Sequence, residues 1–582
     1  MNRVWQIKEK APEEFIKQFP EYPDFVLNFL WQRGIKSQKD IDEFFNPDYE
    51  TDLHSPFLIK GIEKVVKRLD TAIANKEKIV IYGDYDTDGI CASVILYETF
   101  KVLGVENLDV YIPDRFKEGY GLNINAIKEI AQGGAKILIT VDCGITDIPE
   151  IDLANSLGLE VIVTDHHLVH EELPNAFAII NVKQKDDSYP FKWLVGTGVA
   201  FKLAQALLEH RRKNSPGENV PPPGWEKWLL DLVALATIAD MPPLLGENRT
   251  LVKYGLIVLK KTRRLGLKEL IKISGIQSLV LDTWKISFIL TPRLNAAGRI
   301  NHADISFRLL ITDSLPEAQD LARRLEIYNQ ERQKLVDAII KEVKANLDSL
   351  TADEGELPKL IFETSNQASA GTTGLVAGKL TDEYHRPVMI CTLLEEEFRG
   401  TGRSIPEFNL VKAMEECAKI QPDLFVEFGG HAMAAGFTVK KEKLSVFKNL
   451  LQEIARRDIK DEDLMPRLDI DLEIIDLESI NWEFYDWMMK FEPFGENNKR
   501  PLFLARGLEI IEVRIVGNGG KHLKLKLQSI NGKSFNAIGF GLAGFQESIQ
   551  PSLKIDVVFE LSVDEWNGNR ELQLKIIDLK KS

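Results

Sequence analysis

Aspartate and histidine side chains follow three short apolar segments in the first half of the chain, and their types and spacing are suited to metal-dependent hydrolysis. The group comprises Asp84, Asp86, Asp88, Asp142, Asp165, His166, His167 and a later acid, Asp240. Unpaired carboxylates held this close would repel one another strongly, and a pair of divalent cations removes that repulsion. Mostly oxygen ligands with one or two imidazoles suit Mn²⁺ or Mg²⁺. The pattern predicts a two-metal hydrolase.

Each of these motifs also has a purely structural interpretation. An Asp-x-Asp pair after a strand commonly forms a turn or caps a helix. A His-His pair is more often structural or on the surface, and Asp240 precedes Met-Pro-Pro, where a helix can simply end. The metal interpretation therefore depends on all the motifs meeting at one place.

A parallel sheet would bring them together. Apolar runs that predict strands alternate with helical patterns, and the strands fall at residues 78–82, 108–112, 136–141, 160–164 and 177–180. Such alternation is typical of βαβ units. Ligands bind beyond the carboxyl ends of parallel strands, which is where these acids and histidines follow. The first fold prediction is therefore an α/β domain with a parallel sheet.

The rest of the chain predicts further domains. Residues 213–224 are Pro-rich and predict a surface insertion. From about residue 466, short alternating strands separated by Gly-rich turns predict a β-barrel, with an OB-fold as the first choice. The expected organisation is a helical segment packed on the catalytic domain (1–75), the catalytic α/β domain (76–314), a long connecting helix (315–350), a second α/β domain (351–460) and the barrel (466–582).

Composition limits the functional classes. The chain has 582 residues and a net charge of −15, which argues against a protein coated in nucleic acid but allows a narrow basic channel. The four cysteines are scattered, so neither a zinc site nor a disulfide framework is expected. No apolar run is long enough to predict a membrane span, and Met1–Lys10 does not resemble a secretory signal. We therefore expect a cytoplasmic protein without a membrane partner.

Basic side chains in loops are candidates for phosphate binding. Arg115, Arg293, Arg299 and Arg403 lie close to Gly or Pro, and a guanidinium suits a phosphate group. Ion pairing with a surface acid is an equal alternative for each. In the predicted barrel, the alternating Lys521, Lys524 and Lys526 with Trp566 could bind the backbone and stack a base, or could form a solvated charged strand.

The motifs resemble a known family. Residues 83–89 (GDYDTDG), 141–144 (VDCG) and 164–167 (TDHH), followed by a later Asp, resemble the motifs of the DHH phosphoesterases. Within it, the chain resembles the exonucleases that degrade single-stranded DNA, and the motifs that carry this resemblance lie at 113–115, 118–122, 291–299, 402–406, 429–431, 434–437, 492–496 and 565–568.

The resemblance implies a DHH domain, a DHH-associated α/β domain and an OB-fold that holds the strand. It implies 5′-to-3′ removal of mononucleotides from single-stranded DNA, for repair and recombination, with Mn²⁺ or Mg²⁺. Matched motif by motif, it implies metal ligands at Asp86, Asp88, Asp142, His166 and Asp240, with His167 beside the scissile phosphate and Asp84 and Asp165 orienting the ligands. It also favours substrate contacts at Arg403, Ser404, Gly430 and His431.

Two rival functions and one departure complete the prediction. Other DHH phosphodiesterases, acting on oligonucleotides or cyclic dinucleotides, lack the OB domain, and non-catalytic strand-binding relatives lose metal ligands. We further expect a monomer that works with a helicase or a single-strand-binding protein. The departure is at 368–375, where small residues replace a bulky side chain of the family pattern.

Overall fold

The computed structural model describes the main chain of residues 3–215, 219–277, 281–354, 356–566 and 569–582, with no side-chain description for 352–354 and 566. The chain divides into two compact units. The first, called the α/β unit here, contains Tyr49–Pro242 and Gly246–Leu464; the second, called the barrel unit, contains 1–48, Pro243–Leu245 and Met465–Ser582.

The strands and helices are named in chain order. The strands are β1 (Val4–Ile7), β2 (Ile79–Gly83), β3 (Leu108–Tyr111), β4 (Ile137–Val141), β5 (Glu160–Thr164), β6 (Ala178–Ile180), β7 (Ile361–Thr364), β8 (Val388–Leu394), β9 (Glu397–Arg403), β10 (Glu427–His431), β11 (Ala434–Lys440), β12 (Arg467–Ile470), β13 (Leu472–Glu473), β14 (Phe503–Val516), β15 (His522–Gln528), β16 (Ser534–Gly539), β17 (Lys554–Trp566) and β18 (Asn569–Lys581). The α-helices are α1 (Glu13–Gln18), α2 (Asp24–Gln32), α3 (Gln38–Phe45), α4 (Ile62–Ala74), α5 (Thr87–Val102), α6 (Ile124–Gln132), α7 (Ile148–Ser156), α8 (Gly196–Asn214), α9 (Leu230–Asp240), α10 (Gly246–Lys260), α11 (Leu265–Ile273), α12 (Thr283–Lys285), α13 (Thr291–Ile300), α14 (Asp304–Ile311), α15 (Leu315–Glu354), α16 (Thr373–Tyr384), α17 (Leu410–Ile420), α18 (Leu444–Asp458) and α19 (Trp482–Met489).

The first sheet of the α/β unit is parallel throughout, in the order β3-β2-β4-β5-β6. Strands β2 and β4 are buried along their whole length. Their apolar runs are continuous because a parallel strand in the middle of such a sheet is covered on both faces. The chain goes from β2 out to β3 and returns to β4 on the other side. The strand order therefore reverses between β2 and β4, and the predicted α/β fold is confirmed.

A long helix links this sheet to a second one. The first half of α15 packs against α11, α13 and α14. Its second half shares a core with β7, α16 and β8, to which Val336, Ile339 and Val343 contribute. The second sheet is mixed, in the order β10-β11-β9-β8-β7, and only the β7–β8 pairing is parallel.

The barrel unit contains a closed five-strand barrel. Strands β14, β15, β16, β18 and β17 follow one another, and β14 pairs with β17 to close the ring. Strands β16 and β18 are parallel and the other ring pairings are antiparallel. Alternate residues of β15 (Leu523, Leu525 and Leu527) are buried inside, so the strand's polar residues face outward. This matches the predicted OB-fold.

The structure corrects the expected packing of the N-terminal segment. Residues 1–48 belong with the barrel unit, and only 49–75 belong with the catalytic domain. The physical reason is a shared aromatic core: Phe29 and Phe44 lie 5.7 Å and 5.3 Å from Phe491, measured between ring centroids. The segment also begins with a strand, β1, which pairs in parallel with β12.

Two smaller predictions concern the surface and the membrane. The proposed insertion at 213–224 includes 216–218, which lie outside the described residues. The end of the insertion is held by Arg212, whose guanidinium donates hydrogen bonds to the carbonyl oxygens of Pro221 and Pro222. Among the helices that the structure describes, none is long and apolar enough to cross a membrane.

Candidate active site

The predicted acids and histidines meet at the carboxyl edge of the parallel sheet. Strand β2 leads into a short loop with Asp84 and Asp86 and then into α5 with Asp88; β4 leads into Asp142, and β5 leads into Asp165 and His166. Because β2 and β4 flank the position where the strand order reverses, their loops diverge and leave a crevice between them. The topology therefore places the first two motifs where open α/β sheets bind ligands.

Hydrogen bonds to backbone fix the acids of the first loop. Asp86 caps α5, and its Oδ1 accepts from the N–H groups of Asp88 and Gly89 at 2.8 Å and 3.2 Å. Asp88 is buried, and its two carboxylate oxygens accept from the N–H groups of Gly196 and Thr197, each at 2.7 Å. The first turns of α5 and α8 thus hold these carboxylates in place.

Asp142 occupies the centre of the site under an unusual backbone constraint. Its φ is +63°, in the left-handed region that Asp and Asn tolerate better than most residues. The carboxylate is buried, and its Oδ1 has no hydrogen-bond partner within the described part of the chain. A Cβ on Gly196 would lie 2.6 Å from that oxygen, so a glycine is needed where α8 begins.

The two histidines have different environments. His166 Nε2 lies 3.1 Å from Asp142 Oδ1, 3.8 Å from Asp88 Oδ2 and 4.0 Å from Asp240 Oδ2. Burial, together with the neighbouring His167, lowers the pKa of His166 to about 3, so its imidazole is neutral, as a metal ligand must be.

His167 is held through its other ring nitrogen. Burial lowers its pKa, but the Nδ1–H group donates to Asp165 Oδ1 at 2.8 Å and the pKa rises to about 9. The same carboxylate accepts from the backbone N–H groups of His166 and His167, at 2.7 Å and 3.1 Å. Asp165 therefore fixes the ring through Nδ1 and leaves Nε2 of His167 without a hydrogen-bond partner among the described residues.

The donor atoms form three overlapping clusters that fit divalent cations. Each cluster has its donor atoms within 4.8 Å of one another, and the members are Asp84, Asp86 and Asp142; Asp88, His166 and Asp240; and Asp142, His166 and His167. Burial and then neighbouring carboxylates raise the pKa of Asp84 to about 8, of Asp88 to about 6 and of Asp240 to about 8. Oδ1 of Asp84, like that of Asp142, is buried without a hydrogen-bond partner among the described residues. Buried, like-charged and orphaned oxygens are the donors that a metal ion satisfies.

Arginines from several elements gather beside this cluster. Arg115 lies over the ring of Tyr85, 3.8 Å from its centroid, and Arg299 donates to the carbonyl oxygen of Gly371 at 2.9 Å. Burial and then the charges of Arg115 and Arg332 lower the pKa of Arg299 to about 9, and Arg403 contributes in the same direction. Guanidinium groups that repel one another in a buried place are suited to an anionic ligand.

The small residues at 368–375 have a packing reason. A Cβ on Gly371 would lie 2.4 Å from the carbonyl oxygen of Arg299. Glycine therefore allows the backbone before α16 to come against Arg299. The departure from the family pattern does not remove Arg299 from the arginine group.

Some predicted substrate residues have other partners. Arg293 forms an ion pair with Glu326 of α15, at 2.6 Å, so the structural alternative applies to it. Ser404 is buried and its hydroxyl donates to the carbonyl oxygen of Phe408 at 2.6 Å, which makes it a turn residue. The side chain of Trp566 lies outside the described residues.

Gly430 and His431 lie in β10, paired with Ala435 and Ala434 of β11. Ala434 in turn pairs with Arg403 of β9, so His431 and Arg403 lie at one level on the same face of the sheet, separated by a small side chain. His431 is exposed on the surface.

Sequence reasoning missed several residues of the site. The Tyr120 hydroxyl donates to the carbonyl oxygen of Asp142 and lies 3.2 Å from His167 Nδ1. Asn181, directly after β6, is fully buried and donates to the carbonyl oxygen of His167 at 3.0 Å. Its position after an apolar strand was the available signal for Asn181. Arg332, in the middle of α15, carried no such signal.

Comparisons with known families agree with this division of the chain. The DHH family N-terminal domain matches residues 78–237, the DHHA1 domain matches 357–457, and the RecJ OB domain matches 470–578. These three matches follow the order of the parallel sheet, the second sheet and the barrel.

Similar proteins cover the whole chain. The single-stranded-DNA-specific exonuclease RecJ of Bacillus subtilis (strain 168) is 38% identical over 579 residues, covering 99% of this chain and 70% of that protein. The Escherichia coli (strain K12) protein of the same name is 30% identical over 583 residues, covering 99% of both. The crystal structure of RecJ in complex with Mn²⁺ from Thermus thermophilus matches with a TM-score of 0.82 and 27% identity, over 100% of this chain and 80% of that one.

Proposed function

The chain belongs to the RecJ family of single-stranded-DNA-specific exonucleases, and from that membership we propose that it removes mononucleotides stepwise from the 5′ end of single-stranded DNA. The proposal of metal-dependent hydrolysis rests on the donor clusters, which overlap because Asp142 and His166 each belong to two of them. Donor groups that adjoin in this way would allow two divalent cations to act together on one phosphodiester.

The ligand assignment follows from the clusters. Asp84, Asp86 and Asp142 would hold one Mn²⁺ or Mg²⁺ ion, and Asp88, His166 and Asp240 would hold the other. The two sets adjoin, since His166 Nε2 lies 3.1 Å from Asp142 Oδ1. This adds Asp84, first assigned an orienting role, to the ligands. When bound, such ions supply an activated water molecule near neutral pH and polarise the phosphoryl group.

The protein's own groups then position the strand. His167 is oriented by Asp165 through Nδ1, so its Nε2–H group can donate to a phosphate oxygen beside the metal ligands. Asn181 and Tyr120 hold the backbone around it, through the carbonyl oxygens of His167 and Asp142. Together these contacts keep His167 fixed while the phosphodiester moves past it.

Two metal ions can cleave any phosphodiester placed in line, so the metal site alone does not set the direction of digestion. The direction requires a binding pocket, called the phosphate stop here, that fixes the terminal phosphate. We assign the stop to Arg115, Arg299 and Arg403, with Gly430 and His431 on the neighbouring strand. Arg299 sits at the end of α13 and is mostly buried with other guanidinium groups, so an incoming phosphate would relieve their mutual repulsion.

The barrel supplies a second contact with the strand. His522, Lys524 and Lys526 alternate on the outer side of β15, and the ring of Phe540 lies 5.2 Å from that of His522. Phe540 is 57% exposed, so a base could stack on it. Phe540 is thus a second aromatic candidate for this role, beside Trp566. Phosphodiesterases of the same family without this barrel, and relatives without metal donors, fit the chain less well.

The cellular setting is proposed from the substrate. The donor groups all come from one chain, so the site needs no second copy and we propose a monomer. A single-strand exonuclease requires strands that another protein has separated, which supports a helicase or a single-strand-binding protein as partner. We propose that it acts on the cell's own DNA, in the cytoplasm, in repair and recombination.

The test is product analysis with labelled strands and Mn²⁺. A 5′-labelled single strand should release labelled mononucleotide at the earliest times, while a 3′-labelled strand should shorten as a ladder. Asp142→Asn should release nothing, whereas Asp152→Asn, an exposed acid on α7, should behave as wild type. Release of the 3′ label first, or equal attack on a duplex of the same sequence, would overturn the proposal.

A further inference from the structure

Two exposed aromatic side chains stack on each other just before α13. Trp284 is 60% exposed and Phe288 is 63% exposed, with ring centroids 5.5 Å apart and planes inclined by 30°. They are four residues apart, so they share one face, and the opposite face carries the buried Ile286 and Leu290. Because the buried pair anchors the segment, the aromatic pair is left available to a ligand.

The backbone beneath the pair is held in an uncommon form. Ile286–Leu290 is a single π-helical turn, a form that is rare and frequent at functional sites. The carbonyl oxygen of Ile289 accepts a hydrogen bond from Arg293 at 2.6 Å, and Asp282 caps the preceding turn at the N–H group of Lys285. The two rings therefore project from a backbone segment that hydrogen bonds hold in place.

This segment is continuous with the proposed active site. Helix α13 follows the π turn directly, Asn295 accepts from the N–H group of Thr87 at 2.8 Å beside the metal ligands, and Arg299 lies near its far end. The turn also contacts α9, which ends at Asp240. Phe288, the nearer ring, and Arg299 are eleven residues apart, about 16 Å along a helix. At about 3.4 Å per stacked base, this distance corresponds to roughly five nucleotides.

We propose that Trp284 and Phe288 form a base-stacking platform for the single-stranded substrate, roughly five nucleotides from the end that is cleaved. The proposal rests on the proposed function and deepens it. Stacking on an aromatic face is tolerant of base sequence, which suits an enzyme that advances along any strand. The platform would hold the strand between successive cleavages, since the terminal nucleotide leaves after each one.

The experiment compares strand lengths. Binding of a labelled 12-nucleotide strand to the full chain is measured by fluorescence anisotropy without divalent metal, and hydrolysis of the 12-mer and of a 5′-phosphorylated dinucleotide is measured with Mn²⁺. The variants are Trp284→Ala, Phe288→Ala and the conservative Trp284→Phe. The control is Ile257→Ala, which removes another exposed apolar side chain, on α10.

Each alanine variant should bind the 12-mer roughly fivefold to a hundredfold more weakly, the range for loss of one stacked base. Trp284→Phe should restore most of the affinity, Ile257→Ala should match wild type, and all variants should cleave the dinucleotide at the wild-type rate. Wild-type affinity of the alanine variants for the 12-mer, or an equal loss on both lengths, would overturn the platform. If wild type itself neither binds nor cleaves single strands, the proposed function fails instead.

Discussion

Gly196→Ala is the sharpest single test of the site, because one methyl group would meet three atoms of Asp142. The added Cβ would lie 2.6 Å from Oδ1, 2.7 Å from Cβ and 2.8 Å from Cγ, where ordinary contacts begin at 3.4 Å. Relief requires a shift of about 0.8 Å, and rotating the carboxylate cannot supply it because Asp142 Cβ is also in the way. The N–H group of Gly196 also donates a hydrogen bond to Asp88 Oδ2, so a shift of the helix would move this proposed metal ligand as well.

A misplacement of about 1 Å in a catalytic group can cost about a hundredfold in rate, so we expect kcat to fall by about that factor. Overpacking should lower the free energy of unfolding by about 1–3 kcal/mol, offset in part by the better helix propensity of alanine. The assay is saturating hydrolysis of an end-labelled strand, with Mn²⁺ affinity by calorimetry and thermal unfolding in parallel.

Gly198→Ala is the matched control, two residues further along α8. Its added Cβ would have its nearest contact at 3.4 Å, with the side chain of Leu194, so activity and metal affinity should be unchanged. If Gly196→Ala kept the kcat and the Mn²⁺ affinity of wild type while folding normally, the central role given to Asp142 would be wrong.

Three further predictions concern charge, strand binding and polarity. Asp142→Asn should abolish hydrolysis while the metal-free protein unfolds at the same or a higher temperature, because Asn tolerates the left-handed backbone and removes a repelling charge; turnover within tenfold of wild type would contradict this. Deleting 1–48 together with 465–582 should weaken binding of long strands by orders of magnitude and spare cleavage of saturating dinucleotides, checked by anisotropy and product release on a truncated protein shown to be folded. Arg403→Ala should lower kcat/KM about tenfold to a hundredfold on 5′-phosphorylated strands and less on 5′-hydroxyl strands, whereas the exposed Arg399→Ala should affect neither; equal losses on both strand types would refute the phosphate stop.

The catalytic edge was predictable because it depends on local patterns. Continuous apolar runs such as β2 and β4 identify buried parallel strands, and polar residues that follow them must gather at one edge. Asp142 and His166 therefore needed no knowledge of distant contacts. The division of the ligands between two ions could not be predicted in this way, because it depends on distances between loops that sequence spacing does not give.

The substrate residues were harder to predict because a guanidinium has several uses. Arg293 and Arg299 are six residues apart on one helix, yet Arg293 pairs with Glu326 and Arg299 is mostly buried beside other arginines. Only tertiary contacts decide between these outcomes. For the same reason, nothing in the local sequence of Phe29 or Phe44 indicated that their partners lie more than 400 residues later.

That long-range aromatic core has a consequence for the newly made chain. Residues 1–48 emerge from the ribosome before the α/β unit, but most of the residues that complete their core, 465–582, follow only after that unit has been synthesised. At about 5–20 residues per second, the roughly 400 intervening residues take on the order of 20–80 s. Throughout that interval Phe29 and Phe44 lack their native aromatic partners beyond residue 464, and exposed apolar surface of this kind promotes aggregation. A slowly translated chain should therefore depend on a holding chaperone at its first helices, even though its catalytic domain can fold before synthesis ends.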